Sequence, residues 1–231
     1  MDTRLAALRS PDAVLFDLDG TLVDTVETRI AAWSRTLGDF GIPTPRDDIA
    51  AMIGIDGRRL AREAAAAAGR QLDDDEAEAI DKRCGELFEK LNAHPRPLPG
   101  VGELVAVLES SGVEWAIATS SRKEQVAVSV EALRLPGEPR IVDASHVEHA
   151  KPAPDLLLEA ASQLGIEPAG CWYVGDSTWD MVAAVAAGMT AIAVTEGAAV
   201  GAEALERAGA HAVVATLVDL VPAFADVLPT G

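Results

Sequence analysis

Six short stretches of the chain are apolar on consecutive residues: Val14 to Phe16, Trp115 to Ala118, Ile141 to Val142, Cys171 to Val174, Ala191 to Val194 and Ala212 to Val214. A strand with one wetted face alternates apolar and polar side chains, because successive residues point to opposite faces. An unbroken apolar run suits a strand covered on both faces, as in a parallel sheet with helices on either side. Helical repeats fall between the runs. Val126, Val130 and Leu133 make one, Leu157, Leu158, Ala161 and Leu164 a second, and Met181, Val182, Val185 and Ala186 a third. Gly165 and Gly188 stand where two of these helices should stop. The alternation predicts an α/β fold built on a doubly wound parallel sheet.

One region breaks the alternation. Between Asp24 and Leu98 there is no strand run. Val26, Ile30, Trp33 and Leu37 form a helical stripe, and Ala61 to Ala68 is an Ala-rich helix former that stops at Gly69. Asp73 and Asp74 offer N-caps to a helix whose apolar face is Ile80, Cys84, Leu87, Phe88 and Leu91. His94-Pro95-Arg96-Pro97-Leu98-Pro99-Gly100 then reads as a stiff linker. The expected organisation is a core domain of residues 1–22 and 99–231, interrupted by an all-helical domain of residues 23–98.

With 19 basic and 37 acidic side chains the formal net charge is -18. Such a field repels polyanions, which argues against a nucleic-acid partner. It also repels small phosphate esters unless a cation offsets it, so any phosphate site here favours a metal. Cys84 and Cys171 are too far apart in sequence to suggest a metal pair or a disulfide framework and read as buried thiols. The first ten residues carry Asp2, Arg4 and Arg9 and no long apolar stretch, and no run approaches the roughly 18 residues of a membrane span. A cytoplasmic protein without a membrane partner, monomeric or homodimeric, is expected.

The chemistry-bearing segments sit at strand ends. Val14-Leu15-Phe16 runs into Asp17-Leu18-Asp19-Gly20-Thr21. An acidic strand end is ordinary, but two carboxylates flanking one residue point to the same side if the strand persists, and so need a cation or a shared proton. Cys171-Trp172-Tyr173-Val174 runs into Gly175-Asp176-Ser177, with Asp180 four residues on from Asp176. One of these acids could simply serve the helix N-terminus; two more carboxylates at a second strand end fit a hard-metal site better. Thr119, Ser120 and Ser121 close another strand, where hydroxyls usually cap the following helix. Lys151 precedes a helix that Pro154 and Asp155 would start; alone it would read as a surface Lys. Together they supply a nucleophile, a proton carrier, metal ligands, a hydroxyl donor and a positive charge at one sheet edge, where open α/β folds place ligands.

In this order the four segments resemble the signature motifs of the haloacid dehalogenase superfamily. Asp17-Leu18-Asp19-Gly20-Thr21 resembles the first, Thr119 the second, Lys151 the third and Gly175-Asp176-Ser177 with Asp180 the fourth. The helical insertion resembles that superfamily's cap on its Rossmann-like core, and the overall pattern is similar to phosphoglycolate-phosphatase-like members. The resemblance implies a phosphoric monoester hydrolase acting on a small phosphorylated metabolite, such as phosphoglycolate or a sugar phosphate. It implies Asp17 as the nucleophile that becomes an aspartyl phosphate and Asp19 as the acid–base group. Mg²⁺ would be held by Asp17, Asp176 and the main-chain carbonyl of Asp19. Asp180 would support the metal shell or hold Lys151, and Thr119, Ser120 and Lys151 would bind phosphoryl oxygens.

Residue departures separate the alternatives within and beyond that superfamily. Dehalogenating members lack the second carboxylate, which Asp19 supplies here. Phosphonate-cleaving members use a cap Lys, whereas Lys82 and Lys90 read as a solvated helix face. Sugar phosphomutases of the beta-phosphoglucomutase type carry an aliphatic residue in place of Thr21, a His in place of Arg29 and often Glu in place of Gly175. A phosphorylation-dependent signalling module would be about half this length and lack the insertion. Ser120 stands where Asn is common, and Glu196 where a Gly-rich loop is usual; Trp179 is read as a packing residue. In the insertion, Arg58 and Arg59 follow the Gly54–Gly57 turn and, with Arg29 on the first helix, are the candidates to reach the substrate.

Overall fold

The computed structural model describes residues 4–121 and 123–225; the outer ends of the expected core domain, residues 1–3 and 226–231, lie outside the described residues. All six expected strands form: β1 Ala13–Phe16, β2 Glu114–Ala118, β3 Ile141–Val142, β4 Cys171–Gly175, β5 Thr190–Val194 and β6 Ala212–Val214. They make one sheet in the order β3-β2-β1-β4-β5-β6, and every pairing is parallel. The chain leaves β1 toward β2 on one side and returns to β4 on the other. β1 is therefore the point where the strand order reverses, and the crevice at its C-terminal end is the place such sheets bind ligands.

Ten α-helices accompany the sheet among the described residues: α1 Val26–Asp39, α2 Arg46–Met52, α3 Gly57–Ala67, α4 Asp74–Leu91, α5 Val101–Ser111, α6 Lys123–Leu133, α7 Asp155–Leu164, α8 Thr178–Ala186, α9 Ala202–Arg207 and α10 Pro222–Ala225. Val14, Phe16, Trp172 and Val174 face one apolar cluster with α5, while Ala13, Leu15, Cys171 and Tyr173 face another with α7 and α8. Both faces are covered, as the unbroken runs require. The second cluster is rich in Ala and Met, so α7 and α8 can lie close to the strands.

Helices α1 to α4 enclose a third cluster of their own, around Ile30, Trp33, Leu37, Ile80 and Phe88. Asp73 caps α4 in a reciprocal arrangement with Glu76, as its position before the apolar stripe anticipates. Gly69, Gly165 and Gly188 take positive φ just beyond their helices. The two crossings between sheet and helical insertion run side by side: Asp24 N–H donates to the Arg96 carbonyl at 2.8 Å and Leu98 N–H to the Leu22 carbonyl at 2.9 Å.

Five expected core positions are corrected. Leu91, Leu158, Val182, Val185 and Ala186 are exposed. In α7 the buried face is Leu156, Leu157, Ala160 and Ala161, which turns Leu158 outward. In α8 the inward positions are Asp180, Met181, Ala183 and Ala184. A carboxylate takes the place that apolar periodicity would give to Val182, because Asp180 has a buried partner. Helices α2, α5, α9 and α10 were not read from the sequence. No described helix is long and apolar enough to cross a membrane.

Candidate active site

Parallel register brings the ends of β1, β2 and β4 to one edge: Phe16 lies opposite Ile117 and Val174. The first residues past the three strand ends are Asp17, Thr119 and Asp176, all buried. Asp17 N–H donates to the Val174 carbonyl at 2.9 Å, fixing its side chain beside β4. Its Oδ1 accepts from Lys151 Nζ at 2.6 Å. The same ammonium donates to Asp180 Oδ1 at 2.7 Å and to the Tyr173 hydroxyl at 3.1 Å. Lys151 is 1 % exposed, so burial opposes its charge, but Asp17 and Asp180 reverse that and hold it well above the ordinary Lys range. Asp180 Oδ2 accepts from Ser177 N–H at 3.0 Å and from Ser177 Oγ at 2.6 Å. Every oxygen of Asp180 is thus engaged. Of the two roles the resemblance left open for it, the geometry matches holding Lys151.

Asp176 is in a different condition. Its Oδ1 accepts from Thr21 Oγ1 at 3.1 Å, while Oδ2 is buried with no hydrogen-bond partner. Burial, then the charges of Asp180 and Asp17, push Asp176 well above the usual carboxylate range. Burial likewise pushes Asp17 up to about 7 against the opposing pull of Lys151. One carboxylate oxygen from each of Asp17, Asp176 and Asp180 lies within 4.8 Å of the others. Three buried acids with one Lys are short of positive charge, and an unpartnered carboxylate oxygen faces the gap. The donor set is all oxygen, which fits a hard divalent cation such as Mg²⁺. Gly20, at φ +88°, completes the fit: a Cβ there would overlap the Asp176 carboxylate.

Asp19 is bonded mainly to the helical insertion. Its Oδ1 accepts from Thr25 Oγ1 at 2.7 Å, and its Oδ2 from Ser121 Oγ at 2.6 Å and Arg29 Nη2 at 2.8 Å. Burial alone would raise the Asp19 pKa; the Arg29 charge and the two hydroxyl donors outweigh it and lower it. Arg29 also donates to Ser121 Oγ at 3.0 Å and Gln125 Oε1 at 3.1 Å, and its guanidinium lies 3.7 Å from the Phe88 ring centroid. Gln125 reaches it because residue 85 of α4 is Gly: a Cβ there would stand 2.5 Å from Gln125 Nε2. Thr119 Oγ1 accepts from Ser121 N–H at 3.1 Å, and Ser120 Oγ is buried without a partner.

These groups floor a cavity of about 420 Å³ between sheet edge and insertion. Asp17, Asp19, Thr119, Ser120, Lys151 and Asp176 line it from the sheet edge; Arg29, Trp33, Ile55, Asp56, Arg58 and Leu60 line it from the insertion. Arg58 reaches the cavity and pairs with Asp56 at 3.4 Å. Arg59 does not line it. One residue on, the helix turns Arg59 about 100° away, to pair with Glu63 at 3.1 Å and lie 5.3 Å over the Trp179 ring.

The sequence from residue 14 to 194 matches the family model of haloacid dehalogenase-like hydrolases. The chain belongs to that family. It is 34% identical over 220 residues to phosphoglycolate phosphatase 1 of Pseudomonas aeruginosa, covering 94% of this chain and 80% of that protein. It is 30% identical over 190 residues to beta-phosphoglucomutase of Bacillus subtilis, covering 80% and 84% respectively. Among solved structures, a hydrolase from Pseudomonas syringae superposes with a TM-score of 0.87 at 32% identity, covering 94% of this chain and 99% of that one.

Within this haloacid dehalogenase-like frame the parts played by Tyr173, Thr25, Gln125 and Gly85 had not been read from the sequence, while Arg29 had been read as a substrate contact and not as the partner of Asp19. Tyr173 is the sole Tyr and stands in a buried strand, and a buried phenol needs a polar partner; that signal was available. Thr25 and Arg29 are four apart at the start of α1, so one helix face carries both to Asp19. Gln125 and Gly85 gave no signal, since each matters only through the other. Glu196 is exposed, and the close approach in its loop falls to Gly197, where a Cβ would overlap the Gly20 carbonyl. Lys82 and Lys90 are exposed, as their helical face suggested.

Proposed function

We propose that this haloacid dehalogenase-like hydrolase is a magnesium-dependent phosphatase that hydrolyses a small phosphorylated metabolite, of the phosphoglycolate or sugar-phosphate kind, in the cytoplasm. The observation that carries the reading is the buried cluster in which Lys151 bonds Asp17 while Asp176 presents an unpartnered carboxylate oxygen beside them. Asp17 attacks phosphorus in line and becomes an aspartyl phosphate. Asp19 hands a proton to the leaving alcohol, then takes one from the water that cleaves the intermediate. Lys151, Thr119 and the unpartnered Ser120 hydroxyl receive the phosphoryl oxygens, and Asp180 keeps Lys151 aimed. Asp17, Asp176 and the main-chain carbonyl of Asp19 would hold Mg²⁺, which supplies neutralisation of charge on the carboxylates and the phosphoryl group. Residues 23–98 act as a cap that excludes water from the cavity during transfer.

A sugar phosphomutase is the second reading, supported by similarity to the Bacillus subtilis protein. It would return the phosphoryl group to another hydroxyl rather than to water. Arg29 is engaged with Asp19, and Thr21 with Asp176, at two positions where mutases carry other residues. Incubation with phosphoglycolate and hexose phosphates decides the matter: inorganic phosphate is the expected product, whereas an isomerised ester without phosphate release identifies a mutase. Asp17→Asn is expected to lower turnover on the order of 10⁴-fold or more, and exhaustive chelation to abolish it. Retained activity in either case overturns the assignment.

A further inference from the structure

Trp179 belongs to the core by sequence and to the cap by contact. It is the second residue of α8, between Asp176 and Asp180, yet its side chain packs against the apolar cluster of α1 to α4. Its indole N–H donates to the carbonyl of Ala51 at 2.9 Å. That carbonyl is one of the last four of α2, which a helix cannot satisfy from within. Arg59 of α3 lies over the same ring, 5.3 Å from its centroid. Three residues beyond Ala51, Gly54 takes φ +103° and lies against the fourth-motif loop: a Cβ there would overlap Ser177 Oγ and stand 3.7 Å from Trp179 Cδ1. Ser177 in turn holds Asp180, and Asp180 holds Lys151. The segment docked in this way, Ile53 to Arg58, lines the insertion side of the cavity.

We propose that Trp179 is a positioning residue for substrate selection: it pins the Ile53–Arg58 segment over the carboxylate cluster and so sets the shape that receives the alcohol portion of the ester. A side chain on the metal-site helix thereby fixes the cap residues that meet the leaving group. An ester whose alcohol fills that half of the cavity depends on the docking; one that reacts without such contacts does not. The catalytic consequence rests on the phosphatase reading above, while the docking stands apart from it.

The test uses the full-length protein with Trp179→Ala and Trp179→Phe, the second keeping a ring under Arg59 but removing the N–H donor. Two measurements are made. With Mg²⁺ present, kcat and KM are compared between p-nitrophenyl phosphate and the best of a panel of phosphoglycolate and hexose phosphates. Trp179→Ala is expected to lower kcat/KM for the panel ester about 10–10²-fold, mainly through KM, and to leave p-nitrophenyl phosphate within about twofold; Trp179→Phe falls between. Without Mg²⁺ or ester, backbone hydrogen exchange of residues 51–58 is expected to quicken in both variants. Exchange as slow as in the parent protein overturns the docking, and an equal loss on both substrates overturns its role in selection. If Trp179→Ala does not fold, Trp179→Phe decides both points. A parent protein inert toward every ester overturns the phosphatase reading instead, and exchange still decides the docking.

Discussion

The two ends of the cavity are built on different principles. The sheet end consists of side chains from three strand termini, the turn before α7 and helix α8, all nearly inaccessible, with charge facing charge: Lys151 between Asp17 and Asp180, Thr21 on Asp176. The cap end consists of long side chains from helix starts and a Gly-bracketed turn, and its cation Arg58 is 48% exposed. Strand termini in a sheet covered on both faces have almost no freedom, so their side chains can be held to fractions of an ångström. Helix starts on a separate apolar cluster can shift without disturbing the sheet. The sheet end therefore suits chemistry that must not vary, and the cap end suits recognition that can. Substitutions at the first should damage fold and reaction together. Substitutions at the second should change only which ester is taken.

The largest effect that would separate the two ends is expected from Lys151→Met. It keeps volume but leaves Asp17 and Asp180 facing each other without their cation. Removing one member of a buried pair costs roughly 3–5 kcal/mol, a large part of the total of about 5–15 kcal/mol for a domain. Urea denaturation should show that loss in the metal-free protein, and phosphatase turnover should fall below detection. Mg²⁺ should restore more stability to the variant than to the parent, because the abandoned carboxylates favour a cation. A variant as stable as the parent would mean that the sheet end is not held by its charges.

Arg29 lies on the seam and sharpens the comparison. It comes from the cap helix α1, but its guanidinium serves Asp19 at 2.8 Å. Arg29→Ala removes the charge that counters burial at Asp19. The acid–base step is expected to slow by roughly 10²-fold, with partial rescue by Arg29→Lys. Losing that charge raises the Asp19 pKa and favours its protonated form, so the loss should fall on the step in which Asp19 takes a proton from water, which alkyl phosphates and p-nitrophenyl phosphate share. A change confined to KM and equal for both esters would return Arg29 to the cap end as a simple substrate contact.

The same contrast explains what was legible in the sequence. The six apolar runs and the carboxylates that end β1 and β4 are local patterns, and parallel pairing lines those ends up with little further information. The apolar stripe of α4 was readable, but its Leu91 end was not, because solvent begins where the neighbouring helices stop. Val182 and Val185 were misread since periodicity counts apolarity, whereas α8 is oriented by Asp180 and its bond to Lys151. Arg29 was singled out as a cation near the site, yet its partner, Asp19, became visible only once α1 was laid against the strand end. Gln125 meets Gly85, 40 positions away in sequence, and neither residue marks the other. Contacts across the seam depend on how two bodies dock, which no window of sequence contains.

The smallest expected effects come from the adjacent pair Arg58 and Arg59, and they test the cap end alone. One residue of helix separates them by about 100°, enough to send Arg58 into the cavity and Arg59 onto Trp179 and Glu63. Arg58→Ala removes a cation that faces the alcohol portion of the ester. Its kcat/KM for the best metabolite ester should fall about tenfold, the equivalent of about 1.4 kcal/mol, with p-nitrophenyl phosphate little changed. Arg59→Ala removes an i,i+4 pair worth roughly 0.3–0.5 kcal/mol and a partly exposed cation–π contact worth roughly 0.5–1 kcal/mol. Both lie outside the cavity. Its mark should be a stability loss of about 1 kcal/mol in urea, with kcat/KM reduced less than by Arg58→Ala and through KM, since its only route to the ester is the ring that pins the 53–58 segment. If Arg59→Ala lowered selectivity more than Arg58→Ala, the docking of that segment would outweigh direct contact, and the cap end would recognise its substrate by shape rather than by charge.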